Sequence, residues 1–274
     1  MKTPFLILFI FFISLAYGQT NTYSFALAYK AHIEENYDEA IRIYSLIIEN
    51  NSEPWEAYQN RAICYRMQKK FDLAKRDLDH VLIENPNDTM ALYTYGVVEC
   101  DQFNWSESIS YLHKANQLTK ERNQELLAYL GSAYFFAQEM DSAVNYLKQA
   151  IDLDPNDGDA LNNLAWSYLS IEPSKSIQYF KMAYELDKTD PVALNNLGYA
   201  ELLSGKFEIA KEHFLESKKM NQNNPFVYRN MGLYYMKINN KKAAKKQLKK
   251  CLKKGMLEKW GPQYIVELKA YCES

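Results

Sequence analysis

An all-α fold of tandem helical hairpins is the class this sequence predicts, and three observations carry the prediction. Apolar periodic segments recur at intervals of 33 to 35 residues from Asn21 onward. Small residues recur at two fixed columns of that repeat. Only 9 Gly and 8 Pro stand against 22 Tyr and 13 Phe, a balance that suits aromatic-packed helices better than loops or disordered chain. With 47% hydrophobic residues in 274, the chain can bury a substantial core.

Taken in order, the blocks begin at Asn21, Trp55, Thr89, Gln124, Gly158, Pro191 and Pro225, giving repeats 21–54, 55–88, 89–123, 124–157, 158–190, 191–224 and 225–258. The eighth column holds Ala28, Ala62, Gly96, Gly131, Ala165, Gly198 and Gly232. The twentieth, with one deletion in the fifth block, holds Ala40, Ala74, Ser108, Ala143, Ser176, Ala210 and Ala244. Two antiparallel helices approach most closely where side chains are minimal, so these columns predict the contact line inside each hairpin. Large residues fill the twenty-fourth column, Tyr44, Leu78, Leu112, Leu147, Phe180, Phe214 and Leu248, on the same face as the small one four residues earlier. Pro86 and Pro155, with Pro54, Pro191 and Pro225 nearby, mark the turns, because proline cannot continue a helix.

With Leu130-Gly131, Tyr134, Ala143 and Pro155, and again Leu197-Gly198, Phe207, Ala210 and Phe214, the repeat resembles the tetratricopeptide repeat. Arg61 and Tyr95 depart from it in place of Leu, Glu99 and Glu201 in place of Tyr, and the fifth block is shortened around Glu172-Pro173-Ser174. The resemblance implies a right-handed superhelical solenoid of about seven hairpins over residues 19–258. A helix in 259–274, with Ile265, Leu268 and Tyr271, is expected to cap the last one.

The first twenty residues read as a secretory signal peptide: Lys2, an apolar run from Phe5 to Ala16, and small Ala16 and Gly18 at a cleavage spacing that would remove residues 1–18. An uncleaved N-terminal membrane anchor is the alternative, although the run is short for a span. The expected location is the periplasm or the secretory space. Export makes Cys64, Cys100, Cys251 and Cys272 disulfide candidates, with Cys64–Cys100 and Cys251–Cys272 favoured by neighbourhood and buried free thiols as the other reading.

Catalysis finds little support. His32, His80, His113 and His213 are dispersed over separate repeats, no metal-ligand spacing appears, and nucleotide-binding and nucleophile motifs are lacking, so no metal, cofactor or enzymatic activity is expected. A net charge of −2 offers no global basic character for nucleic acid. The resemblance implies instead a scaffold that binds a segment of a partner protein in the groove lined by the first helix of each hairpin, at columns 2, 5, 6, 9, 12 and 13.

Three features mark that groove and its surroundings. Asn60, Asn163, Asn196 and Asn230 share column 6, with Asn162 and Asn195 beside two of them; amides there can clamp a peptide backbone or bond neighbouring helices. Aromatic residues Phe25, Tyr29, Tyr93, Phe135, Phe136, Trp166 and Tyr199, with Leu202, Leu203, Phe226, Leu233 and Met236, offer anchors for a partner or packing between helices. Phe25 and Tyr29 stand where grip on a chaperone's carboxylate tail needs Lys and Asn, so that specificity is not expected. Finally, nine Lys and no acid lie between Lys237 and Lys254, with Lys241, Lys242, Lys245, Lys246, Lys249, Lys250 and Lys253 flanking an apolar stripe. They form either a solvated face or a docking patch for an anionic protein, glycan or membrane surface.

Overall fold

The computed structural model describes residues 19–50, 55–119, 122–257 and 261–274. The signal-peptide reading of residues 1–18 and the turn at Pro54 fall outside them. Fourteen helices follow in chain order among the described residues, and six pairs of them pack together: α1 (Gln19–Ile33) with α2 (Tyr37–Asn50), α3 (Trp55–Met67) with α4 (Phe71–Glu84), α5 (Thr89–Asp101) with α6 (Trp105–Leu118), α9 (Gly158–Tyr168) with α10 (Pro173–Leu186), α11 (Pro191–Leu203) with α12 (Phe207–Met220), and α13 (Pro225–Lys237) with α14 (Lys241–Lys253), while α7 (Gln124–Phe136) and α8 (Met140–Leu153) follow α6 in the series. A 3-10 turn (Pro262–Ile265) and α15 (Val266–Glu273) follow. The fold is all-α, in the repeated-hairpin class that the sequence predicts.

Both kinds of turn have a local chemical cause. Within hairpins the chain reverses at the fifteenth column through a left-handed residue: Glu35, Lys69, Phe103, Gln138, Gly205 and Asn239 all have φ between 57° and 77°. The N–H of the next residue bonds back to the carbonyl five residues earlier, as in Lys70→Tyr65 and Lys206→Glu201 at 2.8 and 2.9 Å, closing the helix end. Only one of these six is glycine, so this turn carried no signal in the sequence. The fifth hairpin lacks the position. Glu172 N–H returns to Tyr168 at 2.8 Å, and Pro173 starts α10 one residue early.

Between hairpins, Asp and Asn govern. Asn85, Asp154, Asp187 and Asn221 accept from the backbone two residues on, and Asp88, Asp157, Asp190 and Asn224 then cap α5, α9, α11 and α13. Asn123 does the same for α7, accepting from Leu126 N–H at 3.0 Å.

By packing, the chain divides into residues 1–133 and residues 134–274. In the first unit, Ala28, Ala40 and Tyr44 centre one apolar cluster, and Ala62, Ala74 and Leu78 another. Every residue of the twentieth column is fully buried. A Cβ on Gly96 would lie 2.5 Å from Leu112 Cγ, so α5 and α6 touch where the eighth and twenty-fourth columns meet.

In the second unit a Cβ on Gly198 would meet Phe214 Cε1 at 2.9 Å, the same contact between α11 and α12. Gly232 departs from the expectation. Its nearest neighbour is Leu268 Cδ2 of α15, at 2.5 Å, and not its own second helix. Ile265, Leu268 and Cys272 are buried there with Met231, Leu248 and Cys251, so α15 closes the apolar end of the last hairpin.

The departures from the repeat are resolved pairwise, mostly through column 23. Where Tyr occupies both columns 11 and 23, the two rings stack: Tyr134 on Tyr146 and Tyr168 on Tyr179, centroids 5.5 and 5.7 Å apart. Where Glu201 replaces Tyr, column 23 supplies His213, whose Nδ1 lies 2.7 Å from Glu201 Oε2. Arg61 is held by both oxygens of Asp77, at 2.7 and 2.8 Å, and Tyr95 stacks on Tyr111. Glu99 accepts from Lys75 and Asn104, both at 2.7 Å. Asp77, Glu99 and Glu201 thereby have the partners that burial of a charge demands.

Candidate interaction faces

In the first unit the first-helix face is polar. Asn60, at column 6 of α3, donates its amide back to Glu56 O at 2.7 Å, so it serves its own helix and does not extend an asparagine row outward. The row is broken next by Thr94 and Tyr129. Tyr93 meets Tyr129 edge to face at 5.9 Å, and its hydroxyl donates to Glu125 at 3.3 Å. Arg66 donates to Asp101 at 2.6 Å across helices α3 and α5. Burial pulls the Arg66 guanidinium down, but the hydrogen bond to Asp101, together with the Coulomb attraction of Tyr129, Asp101 and Tyr93, outweighs it and keeps the group charged. Burial also pushes the Tyr93 phenol up, so it stays a neutral donor.

In the second unit the same columns build an amide ladder. Asn196 Nδ2 of α11 donates to Asn162 Oδ1 of α9 at 3.0 Å, and Asn230 Nδ2 of α13 donates to Asn195 Oδ1 of α11 at 3.2 Å. Each step joins column 6 of one repeat to column 5 of the one before. Of the two roles open to these residues, bonding neighbouring helices is the one Asn196 and Asn230 perform. Asn230 is also buried, with its oxygen accepting from Arg229 at 2.8 Å, so both ends of its amide are consumed within the fold and it is withdrawn from the set of partner-facing residues. Leu233 is withdrawn likewise: it lies in the core cluster with Tyr228, Met231 and Leu268.

The lower rungs remain open. Asn162 and Asn196 are half-buried, and neither Asn162 Nδ2 nor Asn196 Oδ1 has a partner among the described residues. Asn163 is half-buried beside them. Along the same face run Trp166 and Tyr199, centroids 5.8 Å apart, with the Arg229 guanidinium 5.0 Å above the Tyr199 ring and anchored on Tyr264 O at 2.7 Å. Phe135 is half-buried and Phe136 exposed, their rings edge to face at 5.1 Å. Trp166, Tyr199 and Asn196 are thus brought together on one side of α9 and α11. Arg229, which ends the series, was not among the residues singled out in the sequence; its place at column 5, in line with Asn162 and Asn195, was the available signal.

On the opposite helix layer, Lys242, Lys245, Lys246, Lys249 and Lys253 are exposed, with Lys241 and Lys250 half-buried at the margins of α14. All four cysteines are free thiols, so neither expected disulfide is formed. Cys64 is buried in the cluster of the first hairpin, whereas Cys100 Sγ contacts Ser108 Oγ at 2.9 Å, inside its own hairpin. Cys251 and Cys272 are both buried in the terminal cluster. Burial pushes the Cys64 thiol up to about 12 and that of Cys251 up to about 11, which keeps both protonated and unreactive. Among the described residues no cluster of His, Cys, Asp and Glu could hold a metal ion, and no helix is long and apolar enough to cross a membrane.

Comparison with known proteins places the hairpins. Tetratricopeptide-repeat models match residues 146–175, and residues 125–157 and 227–253. The chain is 28% identical over 122 residues to the BBSome complex member BBS4 of Bos taurus, a match covering 44% of this chain and 23% of that protein. It therefore spans about a quarter of that relative's length. Among solved structures it is similar to a tetratricopeptide repeat protein from Parabacteroides merdae, with a TM-score of 0.67 and 14% identity over 94% of this chain and 100% of the other. It is also similar to YrrB, described as a TPR protein with an unusual peptide-binding site, with a TM-score of 0.59 and 20% identity over 67% of this chain and 95% of that one. The chain carries tetratricopeptide repeats, a fold that serves in general as a scaffold for protein interactions.

Proposed function

We propose that the chain is a non-catalytic scaffold, exported to the periplasm or secretory space, that holds an extended segment of a partner protein on the first-helix face of residues 134–274. The single observation carrying the reading is the half-open ladder. Asn162 and Asn196 bond each other through one end of each amide, at 3.0 Å, and leave the donor of Asn162 and the acceptor of Asn196 free. That pair matches the alternating N–H and C=O of an extended backbone, independent of its side chains. Each such bond would contribute roughly 0.5–1.5 kcal/mol. Side-chain preference then comes from Trp166 and Tyr199, large half-buried rings beside the amides. A partner segment with apolar or aromatic residues fits that surface.

The test is selection of binding peptides from a random display library on the full chain, followed by titration. Selected peptides are expected to lose about tenfold or more in affinity with Asn196→Ala and again with Trp166→Ala, the size expected for interface anchors. Peptides that bind both variants as tightly as the unmodified chain would place the site elsewhere. Export is tested separately, by N-terminal sequencing of the protein recovered from its native cells: a mature end at Gln19 supports it, and an intact Met1 in the cytoplasm contradicts it.

A further inference from the structure

The second helices carry their lysines in two different ways. In hairpins five and six, three lysines pair with nearby acids: Lys175 with Glu172, Lys188 with Glu185 and Lys211 with Glu208, at 2.7, 2.8 and 3.1 Å. Helix α14 contains no acid, and among the described residues none of Lys241, Lys242, Lys245, Lys246, Lys249, Lys250 or Lys253 has a carboxylate within 4.0 Å. Lys241 and Lys242 even occupy its first turn, where the helix dipole disfavours cations. The face also extends beyond one helix. Lys218 of α12 and Lys250 of α14 converge on the Tyr228 ring, each 5.9 Å from its centroid. Burial and the charges of Lys218 and Lys246 hold the Lys250 amine below its ordinary value, a sign of crowded cations without a counter-ion in the fold.

We propose that this face, α14 with Lys218, is a second docking surface whose partner is an extended acidic polypeptide segment with carboxylates on alternate residues. The proposal is independent of the peptide-binding reading above. Its geometry is that of two i, i+4 rows, Lys241-Lys245-Lys249-Lys253 and Lys242-Lys246-Lys250, while Lys254 beyond the helix is held by Asn223 at 2.8 Å. Successive members of a row are about 6 Å apart along the helix axis. Same-side residues of an extended strand repeat at about 6.6–6.8 Å, so one strand can set successive carboxylates against successive lysines of a row. A bilayer is the poorer fit. A helix that lies in a membrane surface turns an apolar side to the acyl chains, whereas Ala244, Leu248 and Cys251 of α14 are buried inward.

The experiment is fluorescence anisotropy of a labelled Glu-Thr repeat peptide of about sixteen residues, longer when extended than the roughly 18 Å of one row, titrated with the full chain. Binding is expected at low salt, weakening about tenfold or more between about 50 mM and about 300 mM salt. Lys245→Glu with Lys249→Glu should weaken it by a similar factor, Lys245→Gln with Lys249→Gln by less, and Trp166→Ala not at all. Circular dichroism checks that each variant is folded. No binding at low salt, or binding that the lysine reversals leave unchanged, overturns the proposal. So does adsorption to vesicles of phosphatidylcholine and phosphatidylserine without peptide binding, which would assign the face to a membrane. A loss with Trp166→Ala would likewise overturn it, by showing that the peptide sits on the other face.

Discussion

Replacing Gly96 with Ala tests whether the small eighth column exists to let helices touch. The added Cβ would stand 2.5 Å from Leu112 Cγ, 2.8 Å from its Cδ2 and 3.2 Å from its backbone N. Leu112 is fully buried, and its branch atom and backbone cannot swing aside as a side-chain tip could. Overpacking of this kind costs about 1–3 kcal/mol. The intrinsic preference of a helix for Ala over Gly returns about 1 kcal/mol. With a branch atom at 2.5 Å the steric term lies in its upper half, so a net loss of about 1–2 kcal/mol is expected. Urea unfolding followed by circular dichroism would show this as a lower midpoint at unchanged slope, and heating as a midpoint roughly 2–8 °C lower. Gly158→Ala is the control, since its nearest contact is Leu186 Cδ1 at an ordinary 3.9 Å; it should be neutral or stabilising. In combination with Leu112→Ala, which alone should cost about 2–5 kcal/mol, Gly96→Ala should become favourable, because its methyl then fills part of the cavity. If Gly96→Ala alone is as stable as the original chain, the column is not a packing constraint and the argument for it fails.

Other expectations are simpler. The hydrogen bond to Glu201 raises the pKa of His213 above its ordinary 6.5, aided by the nearby charges of Glu216 and Glu212 and opposed by burial. Because the folded value is the higher one, the stability this pair adds is fully present below pH 6.5 and is lost as pH rises through the folded pKa. Replacing both partners with Tyr, the pairing used by hairpins four and five, should abolish that pH dependence; an unchanged slope would clear the pair of responsibility. Lys69→Gly relieves an exposed left-handed residue at φ 59° and should stabilise the chain by about 0.5–1 kcal/mol, read from the urea midpoint; a loss there would mean that the turn geometry is not strained.

The legibility of the site was uneven for a physical reason. Asn196 and Trp166 could be placed on one face because a helix fixes which residues share a side. Whether an amide on that face is free depends on what the neighbouring repeat presents. Asn196 finds Asn162 and keeps one end open, whereas Asn230 finds Asn195 and Arg229 and keeps none. Identical residues in one column therefore have different fates. Leu233 shows the same limit, since the cluster it joins includes Met256, Ile265 and Leu268 from beyond its hairpin.

By itself, the sequence determined the all-α hairpin class, the small and large columns of the contact line and the clustering of lysines at one end. These follow from local spacing, because helical periodicity maps chain position directly onto a face. Only the tertiary structure decided that column 23 answers the misfits Arg61, Tyr95 and Glu201, that Gly232 serves α15, that Asn230 is consumed in the fold and that the cysteines stay unbonded. Those outcomes depend on which atom lies within about 3 Å of another across a helix boundary, the range at which a polar group is satisfied or a methyl group excluded, and chain spacing does not set that distance.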